Sequence, residues 1–159
     1  MIVPVGEGAR PEPAYTVLAF DFGRKRIGIA VGDTVTAMGA PRPAAAMLAA
    51  GPDWSAIERE VRALRPRLLV VGVPDNADGT PGALTEAARR FGAELSERFG
   101  LSVAHVDERF SSLEASAALK AGRAAGARRR RVRREDVDSA AAAVILERWL
   151  AGERERRGE

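Results

Sequence analysis

Cysteine is absent from the 159 residues and histidine occurs once, at His105. These absences exclude a disulfide framework, a thiolate metal site, a cysteine nucleophile and an imidazole-rich metal centre. A metal bound by this chain is held by oxygen ligands, which favours magnesium or manganese. Lysine is nearly absent, present only as Lys25 and Lys120, so arginine carries almost all of the positive charge. No apolar run is long enough to span a bilayer, and MIVPVGEGARPEPAY lacks the basic leader and apolar core of a targeting segment. The expectation is a cytoplasmic protein without a membrane partner.

What is present is a globular composition, with 46% hydrophobic and 30% charged residues. The length suits one domain. The division expected is a disordered N-terminal extension at 1–15, rich in Gly and Pro and without periodicity, a folded domain at 16–151 and a charged tail at 152–159. The net charge of +3 conceals a segregation: residues 109–134 carry nine cations and one anion, whereas the remainder is net negative. Six of the seven positions 128–134 are arginine. Compositional bias explains Arg in place of Lys but not this clustering, which points to a polyanionic partner.

Hydrophobic patterning gives the order β-β-β-α-β-α-β-α-α. TVLAFDF (16–22) and IGIAVGD (27–33) form a hairpin around G-R-K-R, with Gly23 available for positive φ, and a weaker third strand at 35–40 ends before Pro41 and Pro43. Asp53 is placed to cap a helix whose apolar positions are Trp54, Ile57, Val61 and Leu64, stopped by Pro66. RLLVVGV (67–73) reads as a strand buried on both faces. Leu84, Ala88, Phe91, Leu95 and Phe99 stripe a second helix closed by Gly100, and LSVAHV (101–106) follows as a strand. Ser111 and Glu114 fit a capping box, and a last helix spans about 136–150 through Val144, Ile145 and Trp149. The pattern predicts an α/β fold, antiparallel at one end of the sheet and parallel where helices cross over.

Three carboxylates stand out against this pattern. Asp21 lies in the first strand, where burying an unpaired carboxylate costs on the order of several kcal/mol. Glu108 ends the strand LSVAHVDER, and Asp138 opens the last helix. Strand ends of α/β sheets collect ligand sites, and a divalent ion reverses the mutual repulsion of converging acids. Two ions about 3.5–4 Å apart can activate a water and stabilise a leaving oxygen in phosphodiester cleavage. Alternation sends Asp107 and Glu108 to opposite faces, so at most one of them joins the site. Asp136 and Asp138 are both candidates for the helix-borne acid, and both could be N-caps. Arg24, Lys25 and Arg26 suit a hairpin tip facing solvent or phosphate. His105, in an apolar strand, reads as a satisfied core residue rather than a base.

Four segments, AFDFGRKRIGIAVGD, VGVPDNADG, FGLSVAHVDERFSS and VDSAAAAVIL, occur in order over residues 16–150. Together they resemble the YqgF family of RNase H-like proteins, described as Holliday junction resolvases and pre-16S rRNA nucleases. The resemblance implies an RNase H-like fold with a mixed five-stranded sheet flanked by helices. It implies a nuclease site in which Asp21, Glu108 and Asp138 are the catalytic, metal-binding acids for Mg2+ or Mn2+, as two ions. It favours Asp138 over Asp136, and places Asn76 and Asp78 in a loop near the same edge, for loop shape or substrate contact. Asp75 and Ala77 depart from the family pattern in that loop. The implied partner is nucleic acid, either an rRNA precursor or branched DNA, with ribosomal particles as a further partner. Arg24, Lys25, Arg26, Arg109, Arg128, Arg129, Arg130, Arg131, Arg133 and Arg134 are the expected phosphate contacts. A monomer suits RNA trimming, whereas a homodimer suits paired cuts in a junction. Two further readings stand beside this one. D-F-G-x-K-x-x-G-I-A-V is also similar to the phosphate loop of actin-like ATPases, but those clamp nucleotide between two large domains and this chain has room for one. The other is a noncatalytic RNA- or ribosome-associated factor.

Overall fold

The computed structural model describes residues 13–74, 80–107, 134–156 and 158, with side chains in the last helix described from Ser139 onward. The expected Ser111–Glu114 capping box and the helix following it lie outside the described residues. Alternation in the first two strands generates a two-faced sheet. Along β1 (Thr16–Phe22), Leu18 and Phe20 enter one core, and Val17 and Ala19 enter the other. β2 (Arg26–Asp33) pairs with β1 antiparallel, from Thr16 opposite Asp33 to Phe22 opposite Ile27.

The third strand departs from the sequence expectation. Residues 35–37 are not strand: the Asp33 carboxylate accepts from the Val35 and Thr36 amides at 2.9 and 2.8 Å, which turns the chain there. β3 instead spans Gly39–Leu48, running through both prolines. β3 is tolerant of proline because, among the described residues, its outer side is paired only at Met47 and Leu48, by the two-residue β4 (Gly51–Pro52). The register with β2 also slips between Ile27 and Ile29, opposite Ala45 and Arg42, so Pro43 falls in a bulge where no ladder donor is needed. Among the described residues β4 makes the sheet six-stranded rather than five-stranded.

Asp53 caps α1 (Trp54–Leu64) as expected, its carboxylate accepting from the Ala56 amide at 3.3 Å. β5 (Leu68–Val73) lies parallel to β1, and α2 (Thr85–Phe99) ends at Gly100 with φ 66°. β6 (Ser102–Asp107) then lies parallel to β5, and α3 (Arg134–Arg156) runs past position 151 into the stretch read as a charged tail. The sheet order is β4-β3-β2-β1-β5-β6. β1 is therefore central, antiparallel to β2 on one side and parallel to β5 on the other.

One face packs Leu18, Phe20, Ile27, Ile29, Leu69 and Val71 against Ile57 of α1 and Phe91 and Leu95 of α2. The other packs Val17, Ala19, Ala30 and Val70 against Ala142, Ile145, Leu146 and Leu150 of α3. The run of small residues in α3 has a steric purpose. A Cβ at Gly39 would lie 2.8 Å from the Ala143 carbonyl oxygen, so helix and strand backbones approach as closely as they do only because both positions are small. Tyr15 joins this second face, its amide donating to the Thr34 hydroxyl at 3.2 Å and its ring lying under the Arg67 guanidinium.

Candidate active site

The C-terminal ends of the parallel strands set the site. Asp21 is matched in register with Gly28 of β2 and Gly72 of β5, and Gly72 with Val106 of β6. Glycine on both sides leaves space beside the carboxylate, and Val106 stands two strand spacings away, roughly 10 Å. Asp21 is half-buried rather than buried. It is the second-last residue of β1, where the sheet core gives way to its edge, so the desolvation expected of an interior strand position is reduced.

Face assignment follows from parity. Asp21 shares the face of Val17 and Ala19, which is covered by α3, and Val106 shares that face. Asp107 is matched with Val73 and falls on the opposite, α2 face, so it does not join Asp21. Glu108 lies outside the described residues, as do Asn76, Asp78 and the basic residues Arg109, Arg128, Arg129, Arg130, Arg131 and Arg133. Asp136, Asp138 and Arg134 belong to the first turns of α3, whose side chains there are not described.

The start of α3 is nevertheless located by Ser139, the residue after Asp138. Its hydroxyl donates to the Arg42 carbonyl oxygen at 2.7 Å and accepts from the Ile29 amide at 3.4 Å. Ile29 adjoins Gly28, the register partner of Asp21. The helix turn bearing Asp138 is thus seated on the sheet one position from the level of Asp21. Sequence reasoning missed Ser139; its signal was a polar residue heading an otherwise apolar small-residue face. Thr85 was also missed. It is 4% exposed, donates to the Pro74 carbonyl oxygen at 3.2 Å and accepts from the Gly82 amide at 2.6 Å, tying the end of β5 to the start of α2.

The hairpin tip is a turn, Gly23 to Lys25, with Arg24 and Lys25 exposed and Arg26 half-buried. Gly23 is needed for a different reason than expected. Its φ is not positive; instead a Cβ there would lie 2.6 Å from the Arg26 carbonyl oxygen. The Met47 amide donates to the Lys25 carbonyl at 2.8 Å, bracing the tip against β3.

His105 is not the core residue expected. It is exposed on β6, which is the sheet's edge among the described residues, with its Nε2 where a Cβ on Gly92 of α2 would lie 2.6 Å away. Desolvation against the helix, aided by the nearby Arg89 charge, holds its pKa below the ordinary imidazole value. It shares the parity of Val103 on the α2 face, away from Asp21.

These features bear on metal binding. Among the described residues no three His, Asp or Glu side chains come together. The donor chemistry at Asp21 is nevertheless all oxygen, since the chain has no thiol and its imidazole lies on the other face. A half-buried carboxylate at a strand terminus fits a hard divalent cation.

A mixed sheet with a central acid-bearing strand and helices on both faces defines an RNase H-like α/β protein. The solved structure of T. thermophilus RuvC in complex with a Holliday junction substrate shares this fold, with a TM-score of 0.53 at 13% identity, covering 89% of this chain and 96% of that one. The chain belongs to the family whose model is described as RuvX: Holliday junction resolvase, which matches residues 15–152. A protein of Xanthomonas euvesicatoria pv. vesicatoria is 46% identical over 91% of this chain and 93% of its own length, and one of Azotobacter vinelandii is 44% identical over 85% and 92%. Both are named as proposed pre-16S rRNA nucleases. The family expectation drawn from the four sequence segments therefore holds.

Proposed function

We propose that this chain is a divalent-metal-dependent nuclease cutting phosphodiester bonds in structured nucleic acid, and that its substrate is the 5′ end of pre-16S rRNA. The observation that carries the reading is the placement of Asp21. It is a half-buried carboxylate at the C-terminal edge of the central strand, flanked in register by two glycines and overlain by the helix that bears Asp138. The substrate class follows the names of relatives that match over most of both chains.

In this reading Asp21, Glu108 and Asp138 hold the metal, with Asp136 as the alternative helix-borne ligand. The chemistry supplied by magnesium or manganese, when bound, is the lowering of a water's pKa and neutralisation of charge on the cleaved phosphodiester. The chain's own residues bind and orient. Arg24 and Lys25, exposed at the braced hairpin tip, engage phosphates beside the acid. The arginines of 128–134 and Arg109 extend that hold along the backbone, and Arg26 supports the turn. Such contacts position a substrate without reading its sequence. Asn76 and Asp78, between β5 and α2 in sequence, serve loop shape or substrate contact in this reading. The setting in this reading is the cytoplasm, where ribosomal precursor particles present that RNA. Among the described residues no helix is long and apolar enough to cross a membrane.

The second reading is a Holliday junction resolvase, favoured by the description of the family and by the fold shared with RuvC. Incubating the protein and Mg2+ with a labelled 16S precursor 5′ segment and a four-way DNA junction separates the two. Cutting of the RNA is the expected result. Paired symmetrical cuts in the junction alone would transfer the function to recombination, and binding without cutting of either would favour the noncatalytic reading.

A further inference from the structure

We infer that Ser139 is a positioning residue for the acidic site: its hydroxyl clamps the first turns of α3, and with them Asp138, onto the sheet beside Asp21. The inference rests on the metal-dependent reading above and adds to it a residue that touches neither metal nor substrate.

The β2–β3 ladder is interrupted beside Ser139. Ile29 and Arg42 are register partners, but the strands slip immediately beyond them, between Ile27 and Ile29, and Pro43 supplies no N–H. Into this break the Ser139 hydroxyl inserts, accepting from the Ile29 amide at 3.4 Å and donating to the Arg42 carbonyl at 2.7 Å. It thus bridges two backbone groups of adjacent strands. Ser139 is only 3% exposed, so water does not substitute readily for it.

Three connections converge on that hydroxyl. Ile29 lies beside Gly28, the register partner of Asp21. Arg42 is held from the other face by Glu60 of α1, with its Nε 2.6 Å and Nη2 3.2 Å from the two carboxylate oxygens. Ser139 itself directly follows Asp138 in α3. Farther along, Glu147 accepts from the Gly39 amide at 2.9 Å and Ala143 abuts Gly39, so the middle of the helix is seated independently. Loss of the Ser139 hydroxyl therefore releases the helix at its acid-bearing end, while Ala143, Glu147 and the core residues beyond them keep the rest of the helix seated. Metal affinity depends steeply on ligand placement: losing the groups that orient ligands typically costs about 10–100-fold in affinity or activity.

The test compares Ser139→Ala, the hydroxyl-retaining Ser139→Thr, and Ile145→Val, which trims the buried core of the same helix away from Asp138. Asp21→Asn serves as the site control. Two quantities are read on the full-length protein: the Mn2+ concentration giving half of the metal-induced rise in Tm, and kcat and KM for the RNA precursor segment. The expected result for Ser139→Ala is a Mn2+ midpoint raised by about tenfold or more and a kcat lowered with KM unchanged, with partial recovery in Ser139→Thr. Ile145→Val lowers Tm but leaves the midpoint and kcat alone. If Ser139→Ala behaves like Ile145→Val, shifting Tm only, the positioning role is wrong while the acidic site stands. If the Mn2+-induced rise persists in Asp21→Asn, the site reading itself fails and the inference falls with it.

Discussion

A carboxylate at the second-last position of a central strand meets two opposing demands, desolvation by the sheet and exposure at its edge. For Asp21 the balance is half-burial, with glycines at both register partners leaving room beside it. If Asp21 is a metal ligand as proposed, replacing it with Asn removes a negative charge that the cation compensates, so the metal-free protein is expected to melt at the same or a higher temperature. A clear loss of metal-free Tm in Asp21→Asn would instead mark the group as structural. His105 gives a pH signature. Its folded pKa lies below its unfolded value near 6.5, so the unfolded chain takes up the proton first on acidification. Stability is therefore expected to be complete above about pH 6.5 and to decline as the pH falls from there through the depressed folded value. The decline should shrink in His105→Gln, as measured by Tm at pH 7.5 and 5.5. The exposure of His105 was not legible in LSVAHV, because an apolar strand reveals its edge position only once strand order is known.

Among the elements, legibility tracked locality. Asp53 with the Trp54–Leu64 stripe, and Leu84–Phe99 with Gly100, carried their own caps and periodicity, and both helices formed as read. β3 did not carry its own instructions. Pro41 and Pro43 are breakers unless the outer edge is free and a bulge absorbs the missing donor, which are facts about neighbouring strands. Ser139 was invisible for the same reason, since its partners are 97 and 110 residues away in sequence. The seating of α3 on β3 is the most sensitive interface of this kind. Gly39→Ala places a methyl 2.8 Å from the Ala143 oxygen and is expected to destabilise by about 1–3 kcal/mol in denaturant unfolding. The Arg42–Glu60 pair joining β3 to α1 is partly screened, Arg42 being 37% exposed, so Glu60→Gln should cost less, about 1 kcal/mol. Among the candidate acids, Asp21 stood out because its neighbours are apolar, whereas sequence physics left Asp136 and Asp138 equivalent and only the family resemblance favours Asp138.

On the scale of the whole molecule, charge separates from chemistry. The six arginines between 128 and 134 set a net positive segment against an otherwise acidic chain. Replacing Arg128 to Arg131 with Ala should weaken nucleic-acid binding and flatten the log–log salt dependence by about 0.7–0.9 for each phosphate no longer neutralised. The rate at saturating substrate should hold. Unchanged binding would remove the segment from the interface. In the proposed function Asp21 anchors a metal-dependent nuclease centre at the edge of this sheet. The most direct test is cleavage of the labelled pre-16S segment by wild type and Asp21→Asn at matched folding, with Mn2+ and with chelator. Cutting is expected only from the wild type and only with metal. Cutting by Asp21→Asn at the wild-type rate, or cutting that survives the chelator, would contradict that function.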